Sequence, residues 1–195
     1  MKKIISLFLC AIMIMLCFSG CSGNAEMTEA NITRTVTQAE KALKTFDQKK
    51  LEKYVDSTTL STIIKYVGEY DFINEVGESI FENLSMEIIS IDAENGTVTL
   101  SVTNKDLRQP AADFASRIKS ENSTIGLLSK LNNQVFVDAN VSAINDMVEN
   151  AEMAQPVEIT VNILQGKKNL ALSFDEAGED AVSGGALSSI QQIYS

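Results

Sequence analysis

The first part of the chain is patterned for helices. From Thr33 to Phe46, apolar side chains recur every three or four residues with charged residues between them, which is typical of an amphipathic helix. Asp47, Ser57 and Asp71 each precede another stretch with this spacing, and all three are residue types that cap helix N-termini. The sequence therefore predicts a layer of four helices before residue 85.

A mainly two-residue period replaces the helical period in residues 86–103. Asn95-Gly96 lies near the centre of this stretch, and Asn-Gly is favoured in two-residue type I′ turns because both positions need a positive φ. A two-residue loop gives a β-hairpin with one wholly apolar face, so the register expected from the turn agrees with the register expected from burial. The facing pairs are Ile91 with Leu100 and Ile89 with Val102.

A second hairpin is predicted over residues 157–174, with Gly166-Lys167 as its loop. In this register the apolar side chains again lie on one face, and Asn162, Thr160 and Ser173 lie on the other. The facing pairs are Ile163 with Leu170, Val161 with Leu172, and Ile159 with Phe174.

Helical spacing returns between the hairpins, from about Pro110 to Pro156, and again at the C-terminus, where Gly184-Gly185 precedes the last helix as a weak point. The order of elements predicts an α+β domain. Its N-terminal helices pack on a mainly antiparallel sheet built from the two hairpins, with an inserted helical segment and a C-terminal helix.

The N-terminal residues have the pattern of a secretory signal. Lys2 and Lys3 precede an apolar run from Ile4 to Phe18. This run of about 15 residues is shorter than the roughly 20 residues that a permanent membrane-spanning helix needs. Export is therefore predicted.

Phe18-Ser19-Gly20-Cys21 resembles the lipobox of bacterial lipoproteins, of the kind found in Gram-positive bacteria. The resemblance implies cleavage between Gly20 and Cys21 and a diacylglyceryl group on the Cys21 thiol. Two acyl chains anchor a protein firmly. The expected partner is thus the membrane, with the protein on the outer face of the cell membrane. The predicted organisation is a signal peptide (1–20), a lipidated Cys and tether (21–31), and a single α+β domain (32–195).

Composition narrows the classes of partner. Cys10 and Cys17 lie in the predicted signal peptide, so the mature chain keeps one cysteine and forms no internal disulfide. The formal charge of the full chain is −10, and removal of Lys2 and Lys3 lowers it to −12. Because such a surface repels phosphate backbones, nucleic acid is not an expected partner.

Two stretches, residues 37–57 and residues 175–191, resemble small extracytoplasmic lipoproteins with a cystatin-like or nuclear-transport-factor-two-like fold. In that group the first helix ends in a short acidic turn and runs into a segment like Lys53-Tyr54-Val55-Asp56. The resemblance implies an α+β domain of a kind that hosts both binding and catalysis.

Several catalytic systems are excluded by the absence of His. Ser-His-Asp and Cys-His nucleophile systems and the common catalytic zinc sites all need an imidazole. Ser116 and Lys119 match the S-x-x-K pattern of a Lys-activated Ser nucleophile, but the second motif of such sites does not occur on a distant segment. A solvated helix face is the favoured interpretation, and no catalytic residue or cofactor is predicted.

A weak metal candidate occurs in the inserted segment. Asp138, Asn140, Ser142 and Glu149 fall at positions 1, 3, 5 and 12 of a calcium-binding EF-hand loop, but Ala143 stands where the loop needs Gly. A helix cap and polar helix face explain the same residues, and that interpretation is favoured.

An acidic cluster precedes the predicted last helix and consists of Asp175, Glu176, Glu179 and Asp180. Carboxylates are stabilised at helix N-termini. Acid–base catalysis instead needs two carboxylates in different environments across a cleft, so a capped and solvated turn is favoured.

Three functional hypotheses remain. The sequence favours a membrane-anchored, non-enzymatic domain that binds an extracellular protein or a small ligand. The first alternative is an enzyme whose pocket uses carboxylates or Tyr54, Tyr66 and Tyr70. The second is a structural or immunity-type component of the cell envelope.

Overall fold

The computed structural model describes residues 24–65, 70–121, 126 and 129–194. The helices among them are α1 (Glu29–Lys44), α2 (Gln48–Tyr54), α3 (Thr58–Ile64), α4 (Phe72–Phe81), α5 (Arg108–Glu121), α6 (Gln134–Asn150), α7 (Glu176–Val182) and α8 (Ala186–Tyr194). The strands are β1 (Val55–Asp56), β2 (Ser85–Asp92), β3 (Thr97–Thr103), β4 (Val157–Gln165) and β5 (Leu170–Ser173). Of the described helices, none combines the length and the apolarity that crossing a bilayer requires.

The strands form one sheet in the order β1-β5-β4-β3-β2. Both predicted hairpins are present, and β3 pairs with β4 to join them, all antiparallel. The predicted α+β class is confirmed. The exception to antiparallel pairing is β1, which runs parallel to β5 and pairs Val55 with Leu172. The helical spacing after Asp47 extends to Val55 and predicts a helix there, because a two-residue strand is too short to show alternation.

Helix α1 begins earlier than predicted. Thr28 is its N-cap, and the Thr28 side chain accepts a hydrogen bond of 3.2 Å from the backbone N–H of Asn31. Preceding residues are bound to the domain as well: the Ala25 N–H donates to Gly166 O (2.9 Å), and Gln165 Nε2 donates to Ala25 O (2.7 Å). The described part of the stretch predicted as a tether (21–31) thus contains the start of α1 and a contact of Ala25 with the second hairpin.

Two of the three predicted caps are confirmed. The Asp47 side chain accepts from the Lys50 N–H at 3.1 Å, and the Ser57 hydroxyl accepts from the Leu60 N–H at 3.0 Å. Asp71 makes no side-chain cap hydrogen bond, because its backbone is itself helical, with φ of −57°. An N-cap needs an extended backbone to turn its side chain onto the first N–H groups.

The register of the first hairpin differs from the prediction. The last pair before the turn is Asp92 with Thr97, so the loop has four residues, and Gly96 has a positive φ (65°) whereas Asn95 does not. Asp92 closes this loop: Oδ1 accepts from the Asn95 N–H and Oδ2 from Asn95 Nδ2. Both hydrogen bonds hold the pKa of the Asp92 carboxyl below its ordinary value, and the bond from the Asn95 side chain has the larger effect. A type I′ turn is therefore ruled out.

A β-bulge at Ile89 adds a second difference. The pairing passes from Ile88 with Leu100 to Ser90 with Thr99, which leaves Ile89 as an extra residue that is 52% exposed. Ile89 was predicted to face the core, and that prediction is wrong. A bulge exchanges the two faces of a strand on one side of it.

In the second hairpin, as beside the turn of the first, the pairing is shifted by two residues from the predicted register. Ile163 pairs with Leu172, and the last pair before the turn is Gln165 with Leu170. The loop again has four residues, closed by a hydrogen bond of 3.0 Å from Gly166 N to Asn169 O. Because a shift by two preserves which side chains face inward, the predicted apolar face is correct although the predicted pairs are wrong.

One face of the sheet is buried against helices, and α1 supplies the largest part of this cover. Ile32, Val36, Ala39 and Leu43 of α1 are buried together with strand residues such as Leu100. The opposite face carries small polar side chains, including Thr99 and Thr160, whose hydroxyls are 3.3 Å apart. The sheet thus contributes one packed face and one polar face.

Gly184 and Gly185 form a tight turn between α7 and α8. Both have positive φ (62° and 84°). A Cβ on Gly184 would lie 1.9 Å from Lys105 O, and Gly184 O accepts from the Leu107 N–H at 2.8 Å. The weak point expected from sequence is instead a closely packed junction with the segment that leads into α5.

Candidate functional site

An apolar cavity of about 190 Å³ lies between α3, α4 and α8. Its walls include Ile63 of α3, Val76 and Ile80 of α4, and Leu187 of α8. Ser183 is the polar side chain among the described lining residues, and its hydroxyl already donates to Asp180 O and accepts from the Leu187 N–H. We call this cavity lobe 1.

A second apolar cavity of about 260 Å³ lies beside it, between α4, α5, α6 and α8. Phe114 and Ile118 of α5 and Phe136 of α6 line it. Phe72 and Ile190 line both cavities, so the two spaces adjoin at these residues. We call the second cavity lobe 2; it is the more open to solvent.

The backbone at one wall of lobe 1 is strained. Phe46 has φ of 39° and is the one non-glycine residue with positive φ in the part of the chain that the structure describes. A bulky side chain rarely adopts this conformation. Its ring stacks on Phe81 with centroids 6.0 Å apart and lies over Gly77, where a Cβ would come within 2.3 Å of the ring. The surrounding packing therefore holds Phe46 in place at the cavity wall.

Sequence reasoning missed the role of Phe46. Its helical spacing assigned it to the end of α1, where it looked like one more core residue. A large ring at Phe46 and the missing side chain at Gly77 together could have indicated their contact. The two residues are distant in the sequence, however, and no local pattern connects them.

Two cations lie over aromatic rings that line lobe 2. The Arg117 guanidinium carbon is 5.0 Å from the centroid of the Phe114 ring, and Lys130 Nζ is 5.2 Å from that of the Phe136 ring. Both rings line lobe 2, and both distances are typical of cation–π contacts. Arg117 also pairs with Glu121 at 3.8 Å. Positive charge thus borders an apolar opening in an acidic protein.

One polar atom in the wall of lobe 2 is unsatisfied. Asn140 Nδ2 donates to Phe136 O at 2.7 Å, and since that carbonyl can only accept, the Asn140 amide oxygen is turned away from it. Asn140 Oδ1 is buried and has no hydrogen-bond partner. Lobe 2 therefore contains an acceptor but no available donor from this residue.

The weak calcium candidate does not have the geometry of a loop. Asp138, Asn140, Ser142 and Glu149 all lie within the continuous helix α6. Successive positions of an EF-hand converge on one ion, whereas residues two apart on a helix point about 200° apart. Asp138 accepts from Gln134 Nε2 at 2.7 Å instead. Among all described residues, no three His, Cys, Asp or Glu side chains come together as a metal-ligand group.

The S-x-x-K pair lies on α5, and neither Ser116 nor Lys119 is among the described residues that line the lobes. Ser116 is exposed, and Lys119 Nζ donates to Ile193 O near the end of α8. Lys119 thus binds a carbonyl at a helix C-terminus, which a cation stabilises.

The acidic cluster is divided between different partners. Asp175 caps α7 by accepting from the Gly178 N–H at 2.8 Å, and Asp180 approaches Arg108 at 4.0 Å. Glu179 is buried and bridges to α3: its carboxylate accepts from the hydroxyls of Ser57 and Thr59 and from the Thr59 N–H (3.0 Å). The solvated turn predicted for the cluster is therefore wrong for Glu179, which connects α7 to α3.

Several predicted residues do not meet at the lobes. Cys21 and Gly20, with the whole predicted signal peptide, lie outside the described residues, as does Tyr66. Tyr54 packs under Lys53, whose Nζ is 4.7 Å from the ring centroid, and the ring of Tyr70 contacts Phe72. Neither tyrosine is among the described lining residues of the two lobes.

A polar groove of about 610 Å³ lies at the start of α5. Arg108 borders it but is 3.5 Å from Asp106, so its charge is already balanced there. The described residues that line this groove include no buried polar side chain for a ligand.

The chain matches no protein-family model, no curated protein and no solved structure.

Proposed function

We propose that this protein is a membrane-anchored extracytoplasmic lipoprotein that binds a small, largely apolar ligand without transforming it. The anchor is the lipid expected on Cys21, and the binding element is the α+β domain. The observation that carries the proposal is the pair of adjoining apolar lobes between α3, α4, α5, α6 and α8.

The size of the space supports a small-molecule ligand. Each lobe alone, about 190 and 260 Å³, is smaller than the range of about 300–1,000 Å³ typical of small-molecule sites. Because the lobes adjoin at Phe72 and Ile190, a ligand that occupies both has a space within this range. The two lobes are therefore best regarded as one site.

The lining supports an apolar ligand. An ordered water needs two to four polar partners, and the described lining residues supply only Ser183 and Asn140 as polar side chains. Unfilled apolar space costs stability, since the atoms around it lose contacts. A hydrophobic ligand would restore those contacts.

Binding without catalysis is supported by the chemistry of the walls. Acid–base and nucleophilic catalysis need an ionisable side chain or activated nucleophile within reach of the substrate. No ionisable side chain occurs among the described residues that line either lobe. Glu179, the buried carboxylate, is held by Ser57 and Thr59 and does not line the lobes.

The anchor is tested by mass spectrometry of the mature N-terminus from native membranes, in the wild type and in Cys21→Ala. We expect a diacylated Cys21 in the wild type and release of the variant to the medium. An unmodified N-terminus that begins elsewhere would contradict the anchored part of the proposal.

Ligand binding is tested with the neutral dye N-phenyl-1-naphthylamine and full-length protein in lipid nanodiscs, after subtraction of empty nanodiscs. Val76→Phe places a ring inside lobe 1, and we expect it to reduce dye fluorescence at least about fivefold. Val135→Phe is the matched control, because Val135 is 81% exposed on α6. Equal fluorescence of both variants, or none for the wild type, would argue against a ligand site and favour a structural envelope role.

A further inference from the structure

We infer that the ligand is a single-chain amphiphile with an anionic head group, of the class of long-chain carboxylates. Its hydrocarbon chain occupies lobes 1 and 2, and its head group lies at the rim of lobe 2 between Arg117 and Lys130. This inference rests on the proposed ligand-binding function and names the class of ligand.

The shape of the site favours a flexible chain. Two small lobes meet at Phe72 and Ile190, which line both. A rigid ring system large enough for the combined space would have to pass this shared boundary, whereas a hydrocarbon chain bends around it. The apolar walls stabilise each methylene that leaves water.

The orientation of the ligand follows from the polar atoms in the wall of lobe 2. A carboxylate inside lobe 2 would be desolvated, and burial of an unpaired charge is very costly. It would also approach Asn140 Oδ1, which is an acceptor and repels another acceptor. The hydrocarbon chain of the ligand therefore enters first, and the head group stays at the opening.

The charge at the opening selects an anion. The protein has 26 acidic and 16 basic residues, so its average surface charge is negative. A site bordered by two cations departs from that average. Arg117 and Lys130 lie over the rings of Phe114 and Phe136, which line lobe 2, and neither cation is itself a described lining residue. A carboxylate at the rim would compete with Glu121 for the Arg117 guanidinium. The ion pair of Arg117 with Glu121 is exposed, so it is easily exchanged.

The test compares radiolabelled dodecanoate with dodecanol, which has the same chain and no charge, using full-length protein in nanodiscs and subtraction of empty nanodiscs. We expect dodecanoate to bind about 5- to 10-fold more tightly. The double variant Arg117→Gln/Lys130→Gln is expected to abolish this preference. The matched control Lys167→Gln/Lys168→Gln removes the same charge from the exposed loop of the second hairpin and is expected to keep it.

Chain length provides a second measurement that does not depend on the rim. Hexanoate is expected to bind more weakly than dodecanoate because it fills less of the two lobes. Val76→Phe should reduce the advantage of the longer chain at least about fivefold, while circular dichroism and thermal unfolding verify that the variant is folded.

The outcomes separate the two proposals. If dodecanol binds as tightly as dodecanoate and both displace the dye, the inference of an anionic head group is overturned and the ligand site stands. If Arg117→Gln/Lys130→Gln behaves like its control, the inference also falls. If neither ligand nor the dye binds, the proposed function fails together with it.

Discussion

The sheet and the helical layer around α4 are packed in different ways. On the sheet, the inward side chains of neighbouring strands meet α1 and are almost fully buried, as Leu100 and Leu172 are. Between α4, α5, α6 and α8, the helices leave two lobes, and no strand residue is among the described residues that line them. Stability is therefore concentrated in the sheet, whereas the space for a ligand is found among the helices.

The physical reason lies in how each element fills its neighbourhood. Strands at fixed spacing bring their side chains into a regular array that one helix can cover. Helices that meet through irregular contacts leave gaps wherever large side chains such as Phe72 prevent closer approach. The comparison predicts that equal truncations have unequal costs in the two regions.

The largest expected effect comes from Leu100→Ala in β3. Leu100 is 0% exposed, and its loss leaves a cavity in a densely packed core, so we expect the free energy of unfolding to fall by about 2–5 kcal/mol. Leu187→Ala, which enlarges lobe 1, is expected to cost about half as much or less. Urea unfolding monitored by circular dichroism measures both, and equal costs would remove the distinction between the regions.

Glu179→Gln tests the connection between α7 and α3. Glu179 is 8% exposed and accepts three hydrogen bonds, and an amide would turn an NH2 group toward one of those donors. We expect a loss of about 1.5–3 kcal/mol in the free energy of unfolding. The control is Glu176→Gln, an exposed residue at the start of the same helix, which should change stability by less than about 0.5 kcal/mol.

If the two substitutions cost the same, Glu179 is not the link that its geometry indicates. Urea midpoints at one pH are sufficient to compare them.

Gly77→Ala tests the contact that holds Phe46. The added methyl group would overlap the Phe46 ring, so the ring must move toward lobe 1. We expect a cost of about 1–3 kcal/mol in stability together with weaker dye binding. Glu78→Ala, on the exposed side of α4, is the control, and unchanged dye binding in Gly77→Ala would show that Phe46 does not shape the site.

The smallest effect is expected at the turn of the first hairpin. Because the pKa of Asp92 is lower in the folded protein than its ordinary value of 3.8, its ionised form stabilises the fold above that value. This contribution is lost as the pH falls through the folded-state pKa. Asn95→Ala removes the side-chain donor, so the variant should lose less stability than the wild type as the pH is lowered through and below 3.8.

Urea midpoints across that range measure the difference, with Lys168→Ala in the other hairpin loop as the control. An identical pH dependence of Asn95→Ala and the wild type would contradict the role assigned to Asn95.

The sequence predicted some levels of the fold better than others. The caps at Asp47 and Ser57 and the inward faces of the hairpins are local properties, since each depends on residues a few positions apart. The registers could not be predicted from Asn95-Gly96 or Gly166-Lys167, because a shift by two residues buries the same faces. The bulge at Ile89 coincides with a break in the alternation, because the apolar positions change from Met86 and Ile88 to Ile89 and Ile91, but a register counted from the turn does not use that break.

The candidate site was not predicted at all. Its residues look like ordinary core positions in the sequence, and the residues singled out for chemistry, such as Ser116 and Asp138, lie on helix surfaces. Arg117 and Lys130 are ordinary surface cations in the sequence, and the fold places them over rings that line lobe 2.

By itself, the sequence predicted an export signal and a lipobox, and it determined the α+β class, the apolar face of the second hairpin and the exclusion of His-dependent catalysis. These follow from composition and from spacing along the chain. Only the tertiary structure decided the registers, the position of Phe46 over Gly77, the two adjoining lobes and the cations at their rim. Each of these depends on contacts between distant segments, which are set by packing and leave no periodic pattern in the sequence.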